Sequence, residues 1–242
     1  MIVATTQTVK RPSAKRSTVA LKYSMAVSGL IMLGYLLVHM YGNLKFFQGR
    51  EKFDSYLEGL DDILYPYLPH EGALWIIRVV LTAALVVHVY AAVTLWRRNK
   101  AAAGFVGNTR YHTKQNKTGV QRSYASFTMR WGGIILLLFI IGHVAQMMPN
   151  WISPGGASDS KYDRVVNGFE IWWVVLLYTI GLVAVGFHLA HGFWSALTTL
   201  GQNHSSTRKS SRITAVSIGL AVVIAGGFLT VPFAVFFFGA GS

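Results

Sequence analysis

The sequence predicts an all-α integral membrane protein with five transmembrane helices. Three observations lead there. Of 242 residues, 52% are hydrophobic and only 13% are charged, against roughly 25% charged in an average soluble domain. Five apolar runs are long enough to span a bilayer, which takes roughly 20 residues. A single charge, Arg78, interrupts them. The strands of a membrane barrel would instead show segments of about 10 residues with strict alternation, and the runs have no such pattern.

The first span covers residues 24–44. The 23 residues before it carry Lys10, Arg11, Lys15, Arg16 and Lys22, as a secretory signal would. The apolar stretch exceeds a signal's h-region, and Tyr41-Gly42-Asn43-Leu44-Lys45 is a poor cleavage site, so the helix is read as retained. The second span covers 73–96 and holds Arg78. The third, 131–148, is short; the fourth, 171–200, is long enough to tilt or project. The fifth covers 213–238. Residues 1–23 are thus a cytoplasmic N-terminal segment and 24–238 a single transmembrane domain.

The net charge of +13 is distributed as in a membrane protein, and no nucleic-acid partner is expected. With five spans the connecting segments alternate sides. The N-terminal segment, the loop 97–130 (Arg97, Arg98, Lys100, Arg110, Lys114, Lys117, Arg122, Arg130) and the loop 201–212 (Arg208, Lys209, Arg212) share one face and hold no acid. All nine acids lie on the other: Glu51, Asp54, Glu58, Asp61, Asp62, Glu71, Asp159, Asp163 and Glu170. The positive-inside rule places the N-terminus in the cytoplasm and the C-terminus outside; a bacterial cytoplasmic membrane is the expected setting. The basic face suits anionic lipid headgroups, at about 1 kcal/mol per Lys or Arg, or a soluble partner. With no cysteine, the chain excludes thiolate metal sites, its own iron–sulfur ligation and thiol catalysis.

Four of the spans each carry a histidine: His39, His88, His143 and His188. A histidine in hydrocarbon needs a partner, so each is a candidate site. At 1.5 Å per residue, His39 lies roughly 22 Å and His143 about 20 Å from the inner end, while His88 lies about 12 Å and His188 about 18 Å from it. Depth pairs His39 with His143 in the outer half and His88 with His188 nearer the cytoplasm. Facing histidines on separate helices supply both axial ligands of a haem, so two haems are expected in a four-helix bundle. Zinc, the rival, wants its ligands at one point. Small residues that leave room for a porphyrin are Gly29, Gly34, Gly42, Ala84, Gly142, Gly181, Ala184 and Gly186. His70, His112 and His204 fall in loops. His191, one turn beyond His188, is a second candidate, as ligand or as a partner of a propionate or a quinone.

These residues stand in recognisable contexts. Val38-His39-Met40-Tyr41-Gly42-Asn43, Val87-His88-Val89-Tyr90, Gly142-His143-Val144 and His188-Leu189-Ala190-His191-Gly192-Phe193-Trp194 follow in order on the four helices. In these the chain resembles the single-chain di-haem cytochrome b membrane anchor of succinate dehydrogenase and fumarate reductase, the succinate:quinone oxidoreductases, over roughly residues 20–240. The last segment is similar to the family's H-x-x-N-G-x-W, with His191 where the family often has Asn. The resemblance makes His188 the fourth ligand and implies the same two pairs. Cytochrome b of the quinol–cytochrome c complex differs, carrying two ligands on each of two helices.

The resemblance implies an electron-transfer subunit with two b haems. It would anchor a flavoprotein and an iron–sulfur subunit on the cytoplasmic face and pass their electrons through inner and outer haem to a quinone. Arg97, Arg98, Arg122 and Arg130 are the docking candidates, and a higher oligomer of the complex is compatible. Arg78 and Arg130 are candidates for the outer and inner haem propionates. An electron crossing 100 mV changes energy by about 2.3 kcal/mol, which suits a low-potential acceptor such as menaquinone. Tyr41, Glu71 and Trp75 with Arg78 are candidates for an outer quinone pocket, and His191 and Trp194 for an inner one. The alternatives are the cytochrome b subunit of a formate dehydrogenase or hydrogenase, a histidine-relay transporter, for which no carboxylate lies within a span, and a haem-free anchor.

Overall fold

A computed structural model of the chain describes residues 17–105, 119–148, 151–202 and 207–241. Lys10, Arg11, Lys15, Arg16, Arg110, Lys114, Lys117, Arg122, Arg208 and Lys209, with His112 and His204, fall outside the described side chains. The chain is all-helical: α1 (Thr18–Leu44), α2 (Arg50–Asp61), α3 (Gly72–Phe105), α4 (Gly119–Met147), α5 (Lys161–Phe169), α6 (Trp172–Thr199) and α7 (Thr207–Phe238). Five of these, α1, α3, α4, α6 and α7, are long and apolar enough to cross a membrane.

α1, α3 and α7 contain their expected spans and extend beyond them; α4 starts well before its span and stops one residue short of its end, and α6 falls one residue inside its span at each end. α3 continues nine residues past Trp96, through Arg97, Arg98 and Lys100. A helix does not stop where hydrocarbon does, and Ala101-Ala102-Ala103 has the highest intrinsic helix propensity. α1 begins early because Ser17 caps it, its hydroxyl accepting from Ala20 N at 3.0 Å. α6 ends in a Schellman turn: Gln202 N reaches Leu197 O, Gly201 N reaches Thr198 O, and Gly201 supplies the positive φ of 77°.

α1 is central, packing against α3, α6 and α7; α6 packs against α4 and α7. In section the order is therefore α3, α1, α6, α4, with α7 laid against α1 and α6. Neither α1 and α4 nor α3 and α6 pack closely along their backbones. Side chains on the outer faces remain exposed, Val79, Val86 and Val222 among them, as lipid-facing positions should. The multi-pass membrane character follows from these helices.

One end of the bundle is closed by α2, α5 and a 3₁₀ turn at Lys45–Gln48. Phe46, Phe53, Tyr162, Val166 and Phe169 form its buried core, continuous with Val174, Tyr178, Val231 and Val235 of the long helices. Phe46 stacks on Tyr162 at 4.6 Å. Asp54 of α2 accepts from Ser160 Oγ (2.7 Å) and Tyr162 N (3.2 Å), tying a carboxylate to the N-terminus of α5. All nine acids belong to this capped end. Residues 45–71 and 151–170 are thus folded structures; their short amphipathic helices give too little periodic signal to stand out beside five long apolar runs.

Candidate functional site

The four histidines meet in twos. His39 of α1 faces His143 of α4 with ring centroids 5.9 Å apart, and His88 of α3 faces His188 of α6 at 6.1 Å. Each pair spans two helices whose backbones stand apart, so the imidazoles reach across a gap. The first pair lies toward the capped, acidic end, beside Tyr178 and Gln146. The second lies toward the basic end, beside Met25 and Ser28 near the start of α1.

Their surroundings differ. His88 Nδ1 donates to the Met25 carbonyl at 3.1 Å and lies 3.3 Å from Ser28 Oγ. A carbonyl only accepts, so Nδ1 carries the proton and Nε2 keeps its lone pair. His143 Nδ1 lies 3.1 Å from the Tyr178 hydroxyl, which donates to Gln146 Oε1 at 3.1 Å. His39 stacks on Tyr35 at 5.2 Å and meets Phe228 of α7 at 5.5 Å. Asn43 Nδ2 donates to the His39 carbonyl at 3.0 Å and lies 3.5 Å from its Nε2. His188 Nδ1 is buried with no hydrogen-bond partner.

The donor set fits a bis-imidazole haem. A metal–nitrogen bond of about 2 Å on each side, plus about 1 Å from nitrogen to ring centre, puts two axial imidazole centroids roughly 6 Å apart. Both pairs have that spacing. Among the described residues no three His, Cys, Asp or Glu side chains gather as a metal group.

The small residues divide. A Cβ on Gly29 would lie 3.3 Å from His88 Cε1, and Gly34 and Gly142 border open space. Gly42 packs on Tyr56, Gly186 on Ala225 and Gly181 on Phe139, which is ordinary helix contact. Ala84 and Ala184 are buried. An apolar groove of about 450 Å³ runs between α3 and α4, lined by Val86, Val89, Val93 and Leu137, with Arg97 at its basic end.

The remaining candidates lie at both ends of the bundle. Arg78 NH1 donates to Glu71 Oε2 at 3.1 Å and its guanidinium lies 4.8 Å from the Trp75 ring centre. Tyr41 sits apart from them, under Lys45 Nζ at 5.1 Å and edge-on to Tyr56 at 6.3 Å. His191 and Trp194 are half-buried on α6 beyond His188, and Arg130 lies toward the basic end of α4. Arg98 donates to Thr18 Oγ1 at 3.3 Å, linking α3 to α1.

Sequence reasoning missed Tyr178, Gln146 and the Met25 carbonyl. Gln146 carried a signal, a carboxamide three residues past His143 in an otherwise apolar run. Tyr178 and a backbone carbonyl carried none, because their roles depend on how helices are rotated against each other.

The family described as succinate dehydrogenase/fumarate reductase transmembrane subunit matches this chain over residues 110–229. That segment holds His143 and His188; His39 and His88 precede it. Neither a curated protein nor a solved structure matches the chain.

Proposed function

Because the chain belongs to the succinate dehydrogenase/fumarate reductase transmembrane subunit family, we propose that it is the di-haem cytochrome b anchor of such a complex, carrying electrons from an iron–sulfur partner to a membrane quinone. The observation that supports this reading best is the pair of facing imidazoles at each of two levels, 5.9 and 6.1 Å between centroids. His39 and His143 would hold the outer haem b, and His88 and His188 the inner one. When bound, each group supplies a one-electron carrier with no open coordination position.

The protein's own contribution is positional. Each histidine is fixed on a different helix, so neither pair can close until the bundle is assembled. The Met25 carbonyl holds His88 with its Nε2 lone pair free. Basic residues at the uncapped end, Arg97, Arg98 and Arg130 among them, would receive the iron–sulfur and flavoprotein subunits from the cytoplasm. The acidic cap would then face outward, in accord with the positive-inside rule. Menaquinone is the acceptor best suited to a path that crosses the membrane potential. The quinone candidates would be Glu71 and Trp75 beside Arg78, with Tyr41 apart from them, for an outer pocket, and His191 and Trp194 for an inner one.

The test is a dithionite-reduced minus oxidised spectrum of the purified protein, with haem content per chain. Two b haems are expected. His39→Ala or His143→Ala should remove one, and His88→Ala or His188→Ala the other. A wild-type protein without haem would overturn the reading.

A further inference from the structure

Three polar groups form a chain inside the membrane at the capped end: His143, Tyr178 and Gln146. Tyr178 is 8% exposed and Gln146 8% exposed, and hydrogen bonds in such a setting are strong and costly to leave unmade. A phenol has one proton. With Gln146 Oε1 turned to the phenol and its Nε2 buried without a hydrogen-bond partner among the described residues, Tyr178 gives its own to Oε1 at 3.1 Å, so toward His143 Nδ1, also at 3.1 Å, its oxygen acts as acceptor. Nδ1 must then carry the hydrogen, and the neutral ring keeps its lone pair on Nε2. Reversing the chain would make the tyrosine O–H donate to a lone pair on Nδ1 and leave the imidazole hydrogen on Nε2, closing the nitrogen needed for ligation.

We propose that Tyr178, oriented by Gln146, is the positioning residue that fixes the tautomer and basicity of His143. This rests on the haem reading above and adds a determinant to it. The inner pair uses a main-chain carbonyl, Met25 O, for the same purpose at His88; the outer pair uses side chains, and so is open to mutation. Phe139 and Phe169 pack edge-on against the Tyr178 ring at 5.2 and 4.8 Å, so the phenol has little freedom to turn away.

An acceptor on Nδ1–H makes the ligand more basic and favours the oxidised, more positive iron. Optical redox titration with haem content is therefore the test. Tyr178→Phe should shift the outer-haem midpoint to more positive potential and leave the inner haem unmoved. Gln146→Leu keeps the tyrosine ring and removes its acceptor; the hydroxyl then competes for Nδ1, and outer-haem content should fall. Gln146→Glu restores an acceptor oxygen and should return the outer-haem content to wild type. A packing role alone would not separate Leu from Glu in this way. If the wild type carries no haem, both readings fall. If it carries two, and Tyr178→Phe and Gln146→Leu retain both with an unmoved outer midpoint, only the present inference falls. Should Tyr178→Phe not assemble, the Gln146 pair decides alone: equal outer-haem content and midpoint in Leu and Glu would overturn it.

Discussion

Arg78 and Glu71 are joined: the guanidinium donates to the carboxylate at 3.1 Å, with 31% and 41% of the two side chains exposed. The cation expected to meet a haem propionate thus already has a carboxylate partner, and the two functions compete for one guanidinium. The ion pair itself contributes little, about 0–1 kcal/mol at such exposure. Arg78→Leu should change thermal stability only slightly. It should move the outer-haem midpoint to more negative potential, because a positive charge near the iron favours its reduced form, and leave the inner haem alone. Redox titration checks both parts.

The cap makes a sharper prediction about stability. Phe46 is 2% exposed and stacked on Tyr162. Phe46→Ala should cost about 3–5 kcal/mol, the usual range for emptying a buried aromatic site. Hydrogen exchange should show α2 and α5 opening before the long helices. Arg50→Ala, which breaks the bridge from Arg50 to Asp163, removes a side chain that is 61% exposed and should cost under about 1 kcal/mol.

His70 and Asp62 give a pH dependence outside the membrane. The imidazole lies 2.8 Å from the carboxylate, and that hydrogen bond raises the His70 pKa above its ordinary 6.5. A raised folded pKa contributes stability that is complete below the unfolded pKa of 6.5 and is lost as pH rises through the folded value. Titration of His70 by NMR should give a value above 6.5, and Asp62→Asn should bring it down toward the ordinary one. An unchanged titration in Asp62→Asn would show that the pair does not persist in solution.

Gly29 offers a steric probe. Its missing Cβ would already stand 3.3 Å from His88 Cε1. Gly29→Val should push the imidazole off its partner and lower inner-haem content with the outer haem retained. Gly219→Ala on α7, where a Cβ meets nothing within 4 Å, should leave both haems in place and gain about 1 kcal/mol of helix propensity. Haem content per chain, resolved by midpoint, is the measurement.

How far the sequence reads depends on the length scale. The five long helices announced themselves because hydrocarbon demands some 20 apolar residues without interruption, and only Arg78 breaks the runs. Depth suggests the pairing of His39 with His143 and of His88 with His188, since rise along a helix converts residue number to height; that the rings face each other is seen only in the structure. Rotation about the helix axis is another matter. Whether Tyr178 or Trp194 turns toward a histidine depends on packing with neighbours far away in sequence. The cap was missed for a similar reason: Phe53, Tyr162 and Phe169 bury one another only after two separate loops meet. Helix ends such as Phe105 were missed because the apolar signal stops at the membrane and the hydrogen-bond ladder does not.

α1 touches both histidine pairs. It carries His39 and, fourteen residues earlier, the Met25 carbonyl that holds His88, a separation of about four turns that brings both to nearly the same side. The two levels therefore hang on a common rail. A single residue inserted between Met25 and His39 would swing one about 100° away from the other, so register along this stretch is under a constraint that neither pair would impose alone.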